Sequence, residues 1–305
     1  MQYTSLGRTG LSVSRVCFGC AAIGGYDYGP VDDKTSIAAL RQAIDEGINF
    51  FDVAGVYGFG RSELLLRAAL SNKLKSVVVA TKFGVHWNET RKTYRDISPR
   101  ALHIALDASL RRLGLESIPL YQIHWPDGKT LLEDCVAALE SCRVAGKIQH
   151  YGACNLGKTD VDHGQLVGRL ETIQLPFSLA ERQHANDLNA CHEQHGMSTM
   201  IYNALGHGLF TGKYDLNSRF IGTDMRARIP LFRGEDFKRG LAILARVREV
   251  AARNGRTCAD IALSWCLTQP GIDIVIVGAK NPAQVTANAK ATNCFLRDSD
   301  LGFLY

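Results

Sequence analysis

Four side chains of unlike chemistry stand at the ends of apolar runs. The stretch Phe51-Asp52-Val53-Ala54-Gly55-Val56-Tyr57-Gly58 carries an acid and a phenol. Lys82 closes Val77-Val78-Val79-Ala80-Thr81-Lys82, and His124 closes Leu120-Tyr121-Gln122-Ile123-His124. Together they suit proton exchange with a carbonyl oxygen. A free tyrosine, with a pKa of about 10, is a reluctant donor and a reluctant base. A nearby ammonium favours the phenolate and lowers that value, and a carboxylate keeps the ammonium charged and oriented. Tyr57 would exchange the proton, Lys82 and Asp52 would tune it, and His124 would orient and polarise the oxygen. Taken singly, each has an ordinary structural reading: a helix cap, a surface phenol, a satisfied core histidine. Their specificity lies in meeting at one end of a set of parallel strands.

Elements that bring them together are visible in the pattern of apolar runs. Strands are predicted at 16–19, 48–52, 76–81, 119–124, 149–154, 171–175, 197–202 and 273–277. Helices are predicted at 33–46, 61–71, 98–113, 130–145, 159–167, 183–195, 236–254 and 282–291, with an additional helix at 258–268 before the last strand. The strand runs are rich in Val, Ile and Phe and do not alternate, as strands buried on both faces should read. Asp32-Asp33 and Ser98-Pro99 mark helix starts, and Gly146 marks a helix end. Strict alternation at this count predicts an α/β fold, a closed (β/α)8 barrel of the TIM type, with chemistry at the carboxyl ends of the strands. An open doubly wound sheet would want a Gly-x-Gly-x-x-Gly turn after the first strand, and Gly24-Gly25 does not supply it. Residues 1–14 read as a hairpin turning at Arg8-Thr9-Gly10 and plugging the amino-terminal end of the barrel. Residues 1–305 read as one domain, without internal repeat or linker.

Composition narrows the partners. The 305 residues are 46% hydrophobic and 21% charged, so a large core is available. The formal net charge of +5 comes without a dense Lys/Arg run, which argues against nucleic-acid binding. No apolar run reaches the roughly 18 residues of a membrane span. The N-terminus lacks the basic and apolar regions of a signal peptide, so a cytoplasmic location with reduced cysteines is expected. Cys17-x-x-Cys20 lies inside an apolar run and reads as core, and Cys191, His192 and His195 read as a helix face rather than half of a metal site. No metal is expected.

Further motifs give the chain a family likeness. Gly7-Arg8-Thr9-Gly10-Leu11-x-Val13-Ser14, Phe18-Gly19, Phe51-Asp52-x-Ala54-x-x-Tyr57-Gly58, Ser109-Leu110-Arg111-Arg112-Leu113-Gly114, Asp127 after His124, and Gly146-Lys147-Ile148 leading into Gly152-Ala153-Cys154-Asn155 resemble the aldo-keto reductases. The likeness runs from about residue 3 to residue 292 and leans toward the bacterial sugar/aldehyde reductase and aldose dehydrogenase branch. It implies a barrel oxidoreductase that uses a nicotinamide cofactor, NADP with NAD as the alternative. It also implies the cofactor contacts. Gly19, Cys20 and Asp52 would line the site. Cys154, Asn155 and Gln174 would meet the carboxamide, and Tyr202 would stack on the nicotinamide. Asn203, Leu205 and Gly208 would cover the pyrophosphate, with Lys213 following. Gly278, Lys280, Gln284 and Asn288 would receive the adenosine 2′-phosphate. Val53, Cys154 and Ala287 depart from the family's usual threonine, serine and glutamate.

Tyr26 and Tyr28 after the first barrel strand, Trp87 in the long loop 83–97, and Trp125 would form an aromatic substrate rim. The segment 214–235, with Arg219, Arg226, Arg228 and Arg233, reads by default as a solvated loop, the alternative being a lid that holds the cofactor or binds an anionic substrate such as a phosphorylated or nucleotide-linked sugar. The expected function is NADP(H)-dependent reduction of an aldehyde or ketone, of a sugar or sugar derivative among them. The rivals are a sugar or alcohol dehydrogenase working oxidatively and a cofactor-binding sensor subunit. An oligomer is not evident.

Overall fold

With helices covering their outer faces, the Val-, Ile- and Phe-rich runs can be apolar throughout, and they become short parallel strands. In a computed structural model, which describes residues 1–26, 28–221 and 224–305, the chain runs β1 (Tyr3–Ser5), β2 (Ser12–Ser14), β3 (Val16–Gly19), α1 (Asp33–Asp45), β4 (Phe50–Asp52), α2 (Arg61–Leu70), β5 (Val78–Phe83), β6 (Val85–Trp87), β7 (Thr93–Arg95), α3 (Pro99–Leu113), β8 (Ile118–Ile123) and α4 (Leu132–Val144). It continues through β9 (Ile148–Cys154), α5 (Lys158–Val167), β10 (Thr172–Pro176), α6 (Ala185–His195), β11 (Ser198–Tyr202), α7 (Gly234–Asn254), α8 (Cys258–Leu267), β12 (Ile274–Gly278), α9 (Pro282–Ala289) and α10 (Asp298–Leu304). Strands β3, β4, β5, β8, β9, β10, β11 and β12 close into a parallel barrel, β12 pairing back onto β3 through Val275↔Val16 to Gly278↔Gly19. This is the (β/α)8 architecture, with α8 as the additional helix before the last strand.

The helix signals work locally as expected. Asp32 accepts from the Thr35 N–H at 2.8 Å, and Ser98 caps α3 with Pro99 in the first turn. Gly146 closes α4 at φ +75°, the left-handed region that favours glycine.

Inside the barrel the strands alternate between two surroundings. Cys17, Phe50, Val78, Ala80, Leu120, Met200, Ile274 and Ile276 form the inner apolar cluster, and Leu6 and Val13 of the β1–β2 hairpin join it with Leu11 packed against them. The hairpin is therefore the predicted plug. Stepping two residues up these strands gives Asp52 after Phe50, Lys82 after Ala80 and Gln122 after Leu120. The barrel interior is apolar below and polar above.

Several boundaries shift by one or two residues, and three differences from the sequence reading stand out. The strand predicted from 48 starts at Phe50, because Asn49 is engaged sideways with Ser12 and Ser14 of the hairpin. The loop predicted at 83–97 holds the antiparallel pair β6–β7, registered Val85↔Arg95 and Trp87↔Thr93. A final helix, α10, follows the last predicted one.

Candidate active site

Asp52 ends β4 and Lys82 lies one residue before the end of β5, so their side chains meet at the upper edge of the interior. Lys82 Nζ is 2.6 Å from Asp52 Oδ1, and the pair is almost wholly buried. The same ammonium donates to the Val53 carbonyl at 3.0 Å and to the Tyr57 hydroxyl at 3.4 Å. Tyr57 reaches it from the loop after β4. The ring of His124, just past β8, stands edge-on to the Tyr57 ring at 5.7 Å. All four sequence candidates thus come together.

Their electrostatics refine the expectation. Burial pushes the Tyr57 phenol well above its ordinary value; Lys82 pulls the other way, but Asp52, Tyr28 and Cys154 add to the rise. Desolvation therefore outweighs the lysine, and Tyr57 is protonated at neutral pH. Burial opposes the charge on Lys82 too, yet Asp52, with Tyr57 and Cys154 behind it, holds the ammonium above its usual range. Burial pushes His124 well down, and the charges of Lys82 and Arg95 push it further, so the imidazole is neutral.

A second polar shell continues around the barrel mouth. Gln174 on β10 donates to Asp52 Oδ2 at 2.9 Å. Asn155, held at φ +58° just past β9, donates to the His124 carbonyl at 2.8 Å and accepts from the Tyr202 hydroxyl at 2.7 Å. Cys154 is buried beneath this network, its thiol pushed up by burial. Cys20 donates its N–H to the Asp52 carbonyl and accepts from the Ser62 hydroxyl at its own carbonyl, while its thiol lies in the core.

On the β11–β12 side, Asn203, Gly206, His207 and Gly208 all have positive φ. The Gly206 and Gly208 N–H groups donate within this loop, to the Asn203 and Leu205 carbonyls. Beyond it lies a group of cations. Burial lowers the Lys280 ammonium, and the neighbouring charges of Arg226 and Lys213 lower it further, with Asp224 opposing. Lys280 Nζ meets the Tyr28 backbone carbonyl, Gln284 accepts from the Lys280 N–H, and Asn288 donates to the Gly278 carbonyl. These like charges repel one another, and Asp224, 3.4 Å from Arg226, offsets part of the repulsion.

A model of the Aldo/keto reductase family matches residues 15–303. The chain belongs to this family. It is 35% identical over 303 residues to aldo-keto reductase YhdN of Bacillus subtilis, covering 98% of this chain and 91% of that one. It is 31% identical to the NADH-specific methylglyoxal reductase of Escherichia coli, covering 98% and 96%. Among solved structures, a glycerol dehydrogenase from Gluconobacter oxydans superposes with a TM-score of 0.92 at 34% identity, covering 99% of this chain and 93% of that one. As an aldo-keto reductase the chain is a nicotinamide-dependent oxidoreductase acting between small carbonyl compounds and alcohols. The cations Lys280, Lys213 and Arg226 fit the phosphate end of such a cofactor.

The reductase's aromatic rim is more connected than its sequence indicates. Tyr26 packs edge-on to Phe59 at 4.8 Å, and Phe59 packs edge-on to Trp87 at 5.8 Å. Phe59, at φ +57°, is the keystone of this rim, and sequence reading missed it. Trp125 carries Arg95 over its ring at 4.4 Å. In the segment 214–235, positions 222 and 223 lie outside the described residues. Arg226 joins the cation group and leans on Tyr214 and Phe220, whereas Arg219 and Arg233 bond carbonyls of their own segment.

The remaining metal candidates separate. Cys191 is buried, His192 faces Asp273 at 3.3 Å, and His195 lies 2.6 Å from Asp162. Among the described residues, no three His, Cys, Asp or Glu side chains form a metal-holding group, and no helix is long and apolar enough to cross a membrane.

Proposed function

We propose that this aldo-keto reductase, as a single barrel domain over residues 1–305, reduces an aldehyde or ketone with NADPH in preference to NADH. The observation that carries the reading is Tyr57: its hydroxyl is held protonated by burial, yet stands 3.4 Å from a charged, fully buried lysine. A proton donor needs to be protonated at rest and to leave its charge somewhere favourable, and Lys82 supplies that favourable place. Asp52 fixes Lys82, and the neutral imidazole of His124 donates a hydrogen bond to the carbonyl oxygen, polarising it and fixing its orientation. When bound, the nicotinamide supplies the hydride. Gly19, Asn155, Gln174 and Tyr202 would hold its ring end, Asn203, Leu205, Gly208 and Lys213 its pyrophosphate, and Lys280, with Gly278, Gln284 and Asn288 around it, its 2′-phosphate.

The preference for NADPH rests on the meeting of Lys280, Lys213 and Arg226. The likeness to an NADH-specific reductase makes the comparison of cofactors decisive. Fluorescence titration with each dinucleotide should give tighter NADPH binding, weakened by Lys280→Ala. Equal or tighter NADH binding would overturn the preference, and binding of neither would overturn the reading. The likeness to a glycerol dehydrogenase supports a second reading, oxidation of a sugar or polyol through the same residues, which turnover in both directions separates. We place the protein in the cytoplasm, in keeping with nine unpaired cysteines, eight of them buried.

A further inference from the structure

Between β5 and α3 the chain leaves the barrel as the β6–β7 hairpin. Residues 85–95 carry Arg91, Lys92 and Arg95 against a single acid, Glu89. Two of these cations are aimed at the rim. The Arg95 guanidinium lies 4.4 Å over Trp125, the residue directly after His124, and its charge helps keep His124 neutral. The Arg91 guanidinium lies 5.4 Å over Phe59, two residues after Tyr57 and between Tyr26 and Trp87.

Neither guanidinium forms an ion pair among the described residues. Arg61, Arg112, Arg143 and Arg169 each lie within 2.7 Å of a carboxylate. An arginine resting on a ring face gains a cation–π attraction while the donors around its edge stay available. That fork matches a carboxylate or phosphate two bonds at a time.

The cofactor's phosphates do not account for this pair. In the barrel order β5-β8-β9-β10-β11, and equally β5-β4-β3-β12-β11, the strand opposite β5 is β11. The hairpin after β5 therefore stands across the mouth from the loop after β11, where Lys213 and Arg226 gather with Lys280. The two cationic patches flank the tetrad from opposite sides. Of the arginines in segment 214–235, Arg226 lies in the cofactor-side group and pairs with Asp224, and Arg219 and Arg233 are held by carbonyls of their own segment.

We propose that Arg95, with Arg91 beside it on the rim, binds an anionic group on the substrate. The substrate class is then an aldehyde carrying a carboxylate or phosphate a few bonds from its carbonyl carbon. This rests on the reductase reading above.

The test compares kcat/KM for succinic semialdehyde and butanal, and for glyceraldehyde 3-phosphate and glyceraldehyde, in the wild type, Arg95→Gln, Arg91→Gln and Arg95→Lys. We expect the anionic member of at least one pair to be preferred by about tenfold or more, with the preference shrinking as salt rises. The pair that shows it identifies carboxylate or phosphate. Arg95→Gln should collapse the ratio about tenfold, Arg91→Gln less, and Arg95→Lys should retain part of it. Quenching of tryptophan fluorescence by 4-hydroxybutyrate, weakened in Arg95→Gln, reports binding without turnover. Butanal turnover with flat ratios in the wild type, or ratios untouched by Arg95→Gln, overturns the inference and leaves the reductase standing. Turnover of none of the four aldehydes overturns both.

Discussion

Gln174 donates across the barrel to Asp52 Oδ2 at 2.9 Å while Lys82 holds Asp52 Oδ1 at 2.6 Å, so both oxygens of the buried carboxylate are spoken for. Changing Asp52 or Gln174 costs in a different way. Asp52→Asn strands the Lys82 charge in the interior, at about 3–5 kcal/mol. Gln174→Leu leaves one carboxylate oxygen unsatisfied, at about 1–3 kcal/mol. Urea denaturation should rank Asp52→Asn as the larger loss. The reverse ranking would mean that Asp52 is not the principal counter-charge of Lys82.

Tyr57→Phe removes the proposed proton donor and little else. Turnover should fall about 10²- to 10⁴-fold, with dinucleotide affinity within a factor of about two of wild type. Because burial raises the phenol above its ordinary value, the wild-type reduction rate should be flat from about pH 6 to about pH 9, where Tyr57 keeps its proton. The oxidation rate should rise with pH. A reduction rate that falls steadily across that window would place the donor elsewhere.

The loop bearing Tyr57 is held by a contact that only glycines allow. A Cβ on Gly58 would stand 2.4 Å from the Gly24 carbonyl oxygen, and Gly58 sits at φ +60°. Gly58→Ala should therefore lose more than the about 1 kcal/mol of backbone strain alone and should cut turnover. Gly146→Ala is the control, also at positive φ but with open space around its Cβ. Equal losses in the two variants would show that the Gly24–Gly58 contact does not position the loop.

Three histidines, His124, His150 and His207, are lowered by burial and make folding sensitive to acid. Burial pushes His124 well below its ordinary value and His207 down to about 4, with Arg226 adding to the second. A histidine whose folded value is lowered stays neutral while its unfolded counterpart takes a proton. Stability should therefore fall as pH drops below about 6.5, and His207→Gln should shallow that slope. A slope unchanged in His207→Gln would mean this side chain is as easily protonated folded as unfolded.

The tetrad was legible because a strand repeats every two residues. Phe50 and Asp52, Ala80 and Lys82, Leu120 and Gln122 are successive inward positions, so an apolar run ending in a polar residue announces the upper rim. The β6–β7 hairpin was obscured by its shortness and exposure, although Val85-His86-Trp87 and Thr93-Tyr94-Arg95 are rich in strand-forming residues around Asn88. Phe59 could not be read at all, since its role arises where Tyr26 and Trp87 arrive from separate loops. Lys213, Arg226 and Lys280 were each named from the sequence, but their meeting across the β11–α7 and β12–α9 connections is visible only in the fold. The sequence placed a lysine near Tyr57 but carried no measure of the burial that overrides it.

The plugging hairpin also bears on how the molecule is made. Gly7 donates to the Ser198 hydroxyl at 2.7 Å, the Ser198 hydroxyl donates to the Ser5 carbonyl at 3.0 Å, and β3 finds its second neighbour only in β12. The first barrel strand to leave the ribosome thus waits for the last, and until then the growing sheet carries two unpaired edges. Such long-range closure slows folding and exposes those edges to other chains. Loss of β12 would leave β3 and β11 as open templates for aggregation, so the whole chain through Gly278 must be present before the barrel is safe from its neighbours.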